Sequence, residues 1–338
     1  MSGKRIVVVL GSGRSGTSLL MQTLHALGME VSDDLTEASV ANPIGPFEDK
    51  EIFDLQSSLI QELGGHVAAP MPDDWLQDKL VFRAMTQLEA LIQNRLEKVD
   101  GLFGFKDPKT SMLIPLWVRL FNKMKLTPAY ILAIRDPGST VASFLMQYNQ
   151  PAFMVELIWL VRTVEAIDNT AADCLVMHYE DWFAEPLPLA QNLLHYTGLN
   201  QSFKGDLTEV LVQKVKFNLN RASKDDYKIQ NPYVKKLYSA LQECRGSDFD
   251  RNRLMSVVKD CRQAMDGFKG WNQLAHQANK KLTDTQGRLE KANAEAAKVK
   301  TLEVRIRELE AEKLQNAQWV QQVQKLERQF EQLLGVKH

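Results

Sequence analysis

Residues 11–18, GSGRSGTS, follow the apolar run RIVVVL and combine glycines with hydroxyl and guanidinium side chains. A glycine-rich turn that opens a helix presents free backbone N–H groups, and the positive end of the helix dipole, to an anion. Ser15, Thr17 and Ser18 add hydroxyl donors, and Arg14 adds a fixed positive charge. The loop therefore predicts a site for a phosphate or phosphosulfate group that needs no metal.

Two other kinds of nucleotide site share part of this pattern. Gly11, Gly13 and Gly16 fit the G-x-G-x-x-G dinucleotide signature, and Asp33 follows at about the 20-residue spacing of a ribose-binding acid. The G-x4-G spacing also begins a P-loop, but Thr17 stands where a P-loop enzyme carries the lysine that contacts the β- and γ-phosphates. A nicotinamide or flavin enzyme and a P-loop phosphotransferase or kinase are therefore the alternatives.

A second candidate phosphate site follows the apolar run AYILAIR, residues 129–135. Arg135 ends the run, Pro137 ends the predicted strand, and Ser139 is a candidate cap for a new helix. Ser143 lies eight residues after Arg135, near the second turn of that helix. An arginine at a strand end and a serine on the following helix can converge on one more phosphate.

The order and spacing of these segments resemble those of the PAPS-dependent sulfotransferases (PAPS, 3′-phosphoadenosine 5′-phosphosulfate; PAP, its desulfated product). GSGRSGTSLL resembles the 5′-phosphosulfate loop, IRDPGSTVAS the 3′-phosphate motif, and HYEDWFAEP with LLHYTGL a third landmark. KFNLNRAS is similar to a later basic segment, and NPIGPFE and GFKDPKTSMLIPLW to segments of bacterial members. The resemblance spans roughly residues 4–225. It implies nucleotide contacts from Gly13, Arg14, Ser15, Gly16, Thr17, Ser18, Arg135, Ser143 and Arg221.

The resemblance implies transfer of a sulfuryl group from PAPS to a hydroxyl or amine, with release of PAP and no metal. Arg14 occupies the position of a catalytic lysine in the cytosolic members, and Lys106 is a second candidate cation near the sulfuryl group. The stretch KDPKT lacks the histidine that serves those members as general base. Glu48 is the first candidate for the base and Asp107 the second.

The acceptor stays open among a carbohydrate, a small metabolite and a lipid. Residues of about 36–80 and 145–170 are expected to line its pocket, because they lie between the nucleotide motifs. A non-catalytic scaffold that keeps the fold is a further alternative to an enzyme.

Buried-type strands at residues 5–10, 129–135 and 174–180 alternate with helical stretches at roughly 50–63, 80–98, 112–123, 139–148 and 153–170. This alternation predicts an α/β fold with a mostly parallel central sheet flanked by helices. The resemblance implies the P-loop NTPase-like sulfotransferase version of that fold. Ligands of such sheets bind at the carboxyl ends of the strands, where the motifs lie.

The composition changes near residue 270, after which Gln, Glu, Lys, Ala and Leu dominate. Val299, Leu302, Ile306 and Leu309 occupy a and d positions of a heptad that continues to residue 334. We expect a sulfotransferase domain over residues 1–270 and a coiled-coil arm over 275–335. The heptad pattern of this arm predicts either a homo-oligomer or the docking of a partner protein.

The chain of 338 residues carries a formal net charge of −1, so no global basic field favours nucleic acid or an anionic membrane. Its three cysteines are widely spaced and odd in number, which argues against a disulfide framework or a zinc site. The apolar run near the N-terminus is too short to cross a membrane. These features together predict a cytoplasmic protein.

Overall fold

The computed structural model describes residues 5–38, 45–148, 150–216, 222–267 and 269–334. Its centre is a parallel sheet in the order β2-β1-β3-β4. The strands are β1 (Arg5–Leu10), β2 (Leu102–Lys106), β3 (Ala129–Ile134) and β4 (Leu175–His178). Because the chain leaves β1 toward one side of the sheet and β3 toward the other, the order reverses between these two neighbours. Ligands of open α/β sheets bind at such a switch point.

Helices cover both faces of the sheet. In chain order, the described α-helices are α1 (Thr17–Ala26), α2 (Lys50–Glu62), α3 (Lys79–Lys98), α4 (Pro108–Met112), α5 (Ile114–Met124), α6 (Pro137–Leu145), α7 (Ala152–Asn169), α8 (Asp181–Ala184), α9 (Pro186–Thr197), α10 (Leu207–Lys214), α11 (Pro232–Leu241), α12 (Arg251–Gly267) and the long C-terminal helix α13 (Lys269–Leu334).

The side chains of β1 alternate between two apolar cores. Ile6, Val8 and Leu10 pack into a core with α2, α3, α5, α7, α11 and α12. Val7 and Val9 pack into a second core with α1, α9 and α10. A strand buried on both faces is a continuous apolar run, which is how RIVVVL appears in the sequence. The predicted α/β fold with a helix-flanked parallel sheet and a long C-terminal helix is confirmed.

The structure adds a strand and divides a helix relative to the sequence expectations. The edge strand β2, LFGFK, is buried along its whole length. Its central Gly104 accommodates Met29, whose side chain would overlap a Cβ at that position. The stretch expected as one helix over 112–123 forms α4 and α5, with Leu113 as the junction.

The chain divides into two compact units, Met1–Asn279 and Lys280–His338. In the second unit, α13 continues to Leu334, and most of its described apolar side chains, including Leu302 and Ile306, are exposed. None of the described helices combines the length and apolar character needed to cross a membrane.

Candidate active site

At two positions, the loop after β1 has a backbone conformation and close neighbours that favour glycine. Gly11 and Gly16 have φ of +142° and +84°, in the region that favours glycine. A Cβ on Gly11 would lie 2.6 Å from the Ala133 carbonyl oxygen, and one on Gly16 would overlap the Tyr179 ring. Ser111 Oγ on α4 accepts a hydrogen bond from Gly11 N at 2.8 Å. The loop is therefore held against β3 and α4, and α1 begins directly after it.

Two serine hydroxyls in this loop are buried without a partner. Ser12 and Ser15 are each 1% exposed, and neither Oγ has a hydrogen-bond partner among the described residues. Leaving a buried hydroxyl unsatisfied costs about 1–3 kcal/mol. The backbone N–H groups at the start of α1 lie in the same turn. These donors together could hold an anion.

The carboxyl end of β3 meets this loop through arginine. Arg135 Nη1 donates to the Arg14 carbonyl oxygen at 3.3 Å, and Nη2 donates to the Ala222 carbonyl oxygen at 3.0 Å. The Arg135 guanidinium also lies over the Tyr179 ring, 4.4 Å from its centroid. Arg14 Nε donates to Ser143 Oγ on α6 at 3.0 Å. Two positive charges and one hydroxyl therefore converge where the β1 and β3 loops face each other.

Burial shapes the electrostatics of this end of the sheet. Removal from water lowers the pKa of Arg135, although a guanidinium stays protonated at any physiological pH. Burial raises the pKa of the neighbouring Tyr179 and Glu180, which favours their neutral forms. Asp136 caps α6 by accepting from Ser139 N at 2.9 Å.

A buried ion pair joins Glu48 to the end of β2. Lys106 Nζ donates to Glu48 Oε1 at 2.6 Å, and the two side chains are 3% and 10% exposed. Lys106 is the last residue of β2 and pairs in register with Val9 of β1. Ser18 Oγ donates to the Pro46 carbonyl oxygen at 3.1 Å, which attaches the segment before Glu48 to α1. The pair therefore lies beside the loop rather than on the surface.

Asp107 is committed to positioning α4. Its Oδ1 accepts from Lys109 N at 2.9 Å, and its Oδ2 accepts from Gln56 Nε2 at 2.9 Å and pairs with Lys109 Nζ at 3.1 Å. Burial raises the pKa of Asp107, and Lys109 opposes this rise. Gln56 is fixed in turn, because its Oε1 accepts from Thr110 Oγ1 and Trp117 Nε1. Both Asp107 carboxylate oxygens are therefore engaged, whereas the Glu48 carboxylate accepts a hydrogen bond from Lys106 alone among the described residues.

Arg162 on α7 belongs to the site and was missed as a site residue by sequence reasoning. It is 8% exposed, and a methyl group on Gly13 would lie 3.6 Å from its Nη1. The expectation that residues 145–170 line the acceptor pocket includes it only as part of a range. The available signal was a lone arginine inside the apolar run LIWLVRTV.

The structure brings most of the predicted residues together in two adjoining groups. Gly13, Arg14, Ser15, Gly16, Arg135 and Ser143 form the first group. Glu48, Lys106 and Asp107 form the second. Thr17 is buried at the first position of α1, and Ser18 is engaged with Pro46. Arg221 lies outside the described residues.

The chain is similar in structure to two sulfotransferase domains. The domain of the Synechococcus PCC 7002 olefin synthase matches with 17% identity and a TM-score of 0.39, covering 77% of this chain and 95% of that domain. A domain from the curacin biosynthetic pathway matches with 17% identity and a TM-score of 0.37, covering 76% and 98%. No protein-family model matches the chain, and no curated protein matches it.

Proposed function

We propose that the protein transfers a sulfuryl group from PAPS to a hydroxyl or amine of an acceptor and releases PAP. The observation that carries the proposal is the pair of buried, unpartnered hydroxyls of Ser12 and Ser15 beside the Arg14–Ser143 contact. These groups form two anion sites at the switch point of the sheet. PAPS carries two separated anionic ends, a 5′-phosphosulfate and a 3′-phosphate.

In this proposal the loop after β1 holds the 5′-phosphosulfate of PAPS. Gly13, Ser15, Gly16 and Thr17 would present backbone N–H groups or hydroxyls, and Ser12 would donate its buried hydroxyl. Ser18 would join them by leaving its hydrogen bond to Pro46. Donors that are already in place stabilise developing charge without reorganisation in the transition state.

The 3′-phosphate would bind Arg135 and Ser143. Arg135 is held by two backbone carbonyl groups and the Tyr179 ring, so its guanidinium is already oriented. Arg14 contacts Ser143 in this structure and lies between the two anion sites. It can therefore compensate charge on the leaving phosphate. Arg221 is proposed to approach the nucleotide on the strength of the sequence resemblance alone.

Glu48 is the proposed general base. With a hydroxyl acceptor, the acceptor oxygen forms a bond to sulfur while its proton passes to the Glu48 carboxylate. The bond from sulfur to the 5′-phosphate oxygen breaks, and its electron pair stays on that oxygen. Lys106 orients Glu48 through the 2.6 Å hydrogen bond and adds positive charge near the reacting group. Asp107 becomes a positioning residue, since both of its oxygens are engaged.

Titration calorimetry with PAP tests the donor site. Arg135→Ala is expected to weaken PAP binding by about 10- to 100-fold, because it removes charge-assisted hydrogen bonds worth roughly 1.5–3 kcal/mol. Arg135→Lys keeps the positive charge but loses the planar guanidinium, so its affinity for PAP should lie between those of the wild type and Arg135→Ala. Arg83→Ala, on an exposed arginine of α3, is the matched control. Wild-type affinity in Arg135→Ala would contradict the assignment.

We further propose that the C-terminal helix pairs with a second copy of the chain, parallel and in register. Lys298 and Arg305 occupy g positions, and Glu303 and Glu310 are the e positions that face them in a parallel pair. An antiparallel pair would instead bring the two glutamates toward each other. Ile306 at an a position and Leu302 at a d position are 55% and 62% exposed in the single chain.

Light scattering during gel filtration tests the pairing. The wild type is expected to elute with twice the 38.4 kDa mass of one chain. Ile306→Asp, at an a position, should give the single-chain mass. Val304→Asp, at the outward f position, should leave the doubled mass unchanged. A wild type of single-chain mass would refute self-association and favour a different protein as the partner.

A further inference from the structure

We propose that Arg162 is a further catalytic residue, whose guanidinium binds the sulfuryl group while it is transferred. This inference rests on the function proposed above. It goes beyond that function by assigning a residue on α7, outside the sequence motifs, to the reacting group itself.

Arg162 is a buried cation that makes no direct ion pair with any described carboxylate. Its Nε is fully buried with no hydrogen-bond partner, and it forms no ion pair within 4.0 Å among the described residues. Arg95 shows the usual arrangement at nearly the same burial: it is 9% exposed and pairs with Asp49 at 2.9 Å and with Glu51. Proteins rarely bury a charged side chain unless it is paired. The partner of Arg162 is therefore an anion that the described part of the chain does not supply.

The position of Arg162 identifies which part of the donor it would meet. A Cβ added to Gly13 would lie 3.6 Å from Arg162 Nη1. Because glycine has no side chain, the Arg162 guanidinium faces the backbone of the loop after β1 at this point. The loop after β1 is the proposed phosphosulfate site. Arg162 therefore approaches the 5′ end of the donor and not the 3′-phosphate, which is assigned to Arg135 and Ser143.

The surrounding charges leave one positive charge in excess. Burial lowers the pKa of Arg162, whereas the nearby carboxylates of Asp107 and Glu48 raise it. Each carboxylate already pairs with a lysine: Asp107 with Lys109 at 3.1 Å and Glu48 with Lys106 at 2.6 Å. Arginine stays protonated, so the group of five side chains carries a net charge of +1. One bound anionic group would balance it.

The sulfuryl group fits this place in the reaction. It lies between the 5′-phosphate oxygen that it leaves and the acceptor oxygen whose proton passes to Glu48. Arg162 N–H groups would donate to its non-bridging oxygens in the ground state and throughout the transfer. The bonds to sulfur change as described above, and Arg162 gains and loses no proton. PAP lacks the sulfuryl group, so Arg162 should distinguish PAPS from PAP.

The affinity ratio between PAPS and PAP tests the assignment. In titration calorimetry, Arg162→Met is expected to weaken the binding of PAPS by about 10- to 100-fold, in line with the loss of charge-assisted hydrogen bonds. The binding of PAP should weaken by less than about 3-fold. Arg162→Lys should recover part of the ratio. An unchanged ratio, or equal losses for both nucleotides, would overturn the inference. A wild type that binds neither nucleotide would instead refute the proposed function, and the inference with it.

The melting temperature of the ligand-free protein separates this role from a structural one. Arg162→Met should melt at or above the wild-type temperature, because replacing a buried unpaired charge with an apolar group of similar length removes a desolvation cost. Arg95→Met is the matched control and should melt about 5 °C or more lower, because it leaves Asp49 buried without its partner. If Arg162→Met lowers the melting temperature as much as Arg95→Met does, Arg162 is a structural residue.

Discussion

The buried pair of Lys106 and Glu48 leads to a quantitative prediction. Lys106→Met is expected to lower the free energy of unfolding by about 3–5 kcal/mol, because it leaves a buried carboxylate without its cation. The two side chains are 3% and 10% exposed and their N–O distance is 2.6 Å, so solvent and salt screen the interaction weakly. The loss should therefore persist in 0.5 M salt.

A double-mutant cycle isolates the pair from other effects of each substitution. Lys106→Met, Glu48→Gln and the double variant are compared by urea denaturation, and the coupling energy is expected to exceed about 1 kcal/mol. Lys50 and Asp54 provide the control, since they form an exposed i, i+4 pair at 3.3 Å. Their cycle should give about 0.5 kcal/mol or less. Additivity within about 0.5 kcal/mol at Lys106 and Glu48 would refute the reasoning.

Three more predictions concern the loop, a buried histidine and a buried carboxylate. Gly16→Ala should cost about 1–3 kcal/mol in urea denaturation, because φ is +84° and the new Cβ overlaps Tyr179; an unchanged midpoint would contradict the loop geometry. Burial lowers the pKa of His178. As pH falls below about 6.5, this histidine therefore takes up a proton in the unfolded chain but not in the folded chain. The free energy of unfolding of the wild type should then drop by at most about 1.4 kcal/mol per pH unit. His178→Gln should flatten that dependence between pH 7.5 and 5.5, and an equal slope would show that other groups cause it. Glu156→Gln should speed hydrogen exchange across residues 227–231, because the Glu156 carboxylate accepts three hydrogen bonds there, at 2.7–3.0 Å; unchanged exchange would exclude this anchoring role.

Local sequence signals were sufficient for three of the four strands and for the glycine-rich turn after β1. The run RIVVVL, its glycine-rich loop and the following helix are adjacent in the chain, so strand, turn and helix could be inferred without tertiary information. The same holds for β3, where Arg135 and Pro137 mark the strand end. In contrast, β2 has five residues with a glycine at its centre, and only packing against Met29 explains that glycine.

The contacts that complete the site are non-local and leave little trace in the sequence. Glu48 and Lys106 were both candidates, but they are 58 residues apart, and only the folded chain brings them into contact. Arg162 lies in an apolar helix, where a lone arginine resembles one that reaches solvent. Its burial and lack of a partner become visible only when α7 packs beside the loop.

The measurement that tests the central claim most directly is a thermal-shift comparison of the full chain in EDTA. PAP, ATP and NADH are each added alone, and ATP is also tested with excess magnesium in place of EDTA. PAP at about 100 times its Kd stabilises the folded state by roughly 2.7 kcal/mol, which corresponds to a rise of several degrees in Tm. The account predicts that rise with PAP in EDTA and a smaller one with ATP or NADH. A rise with ATP and magnesium but none with PAP would contradict it and favour phosphoryl transfer.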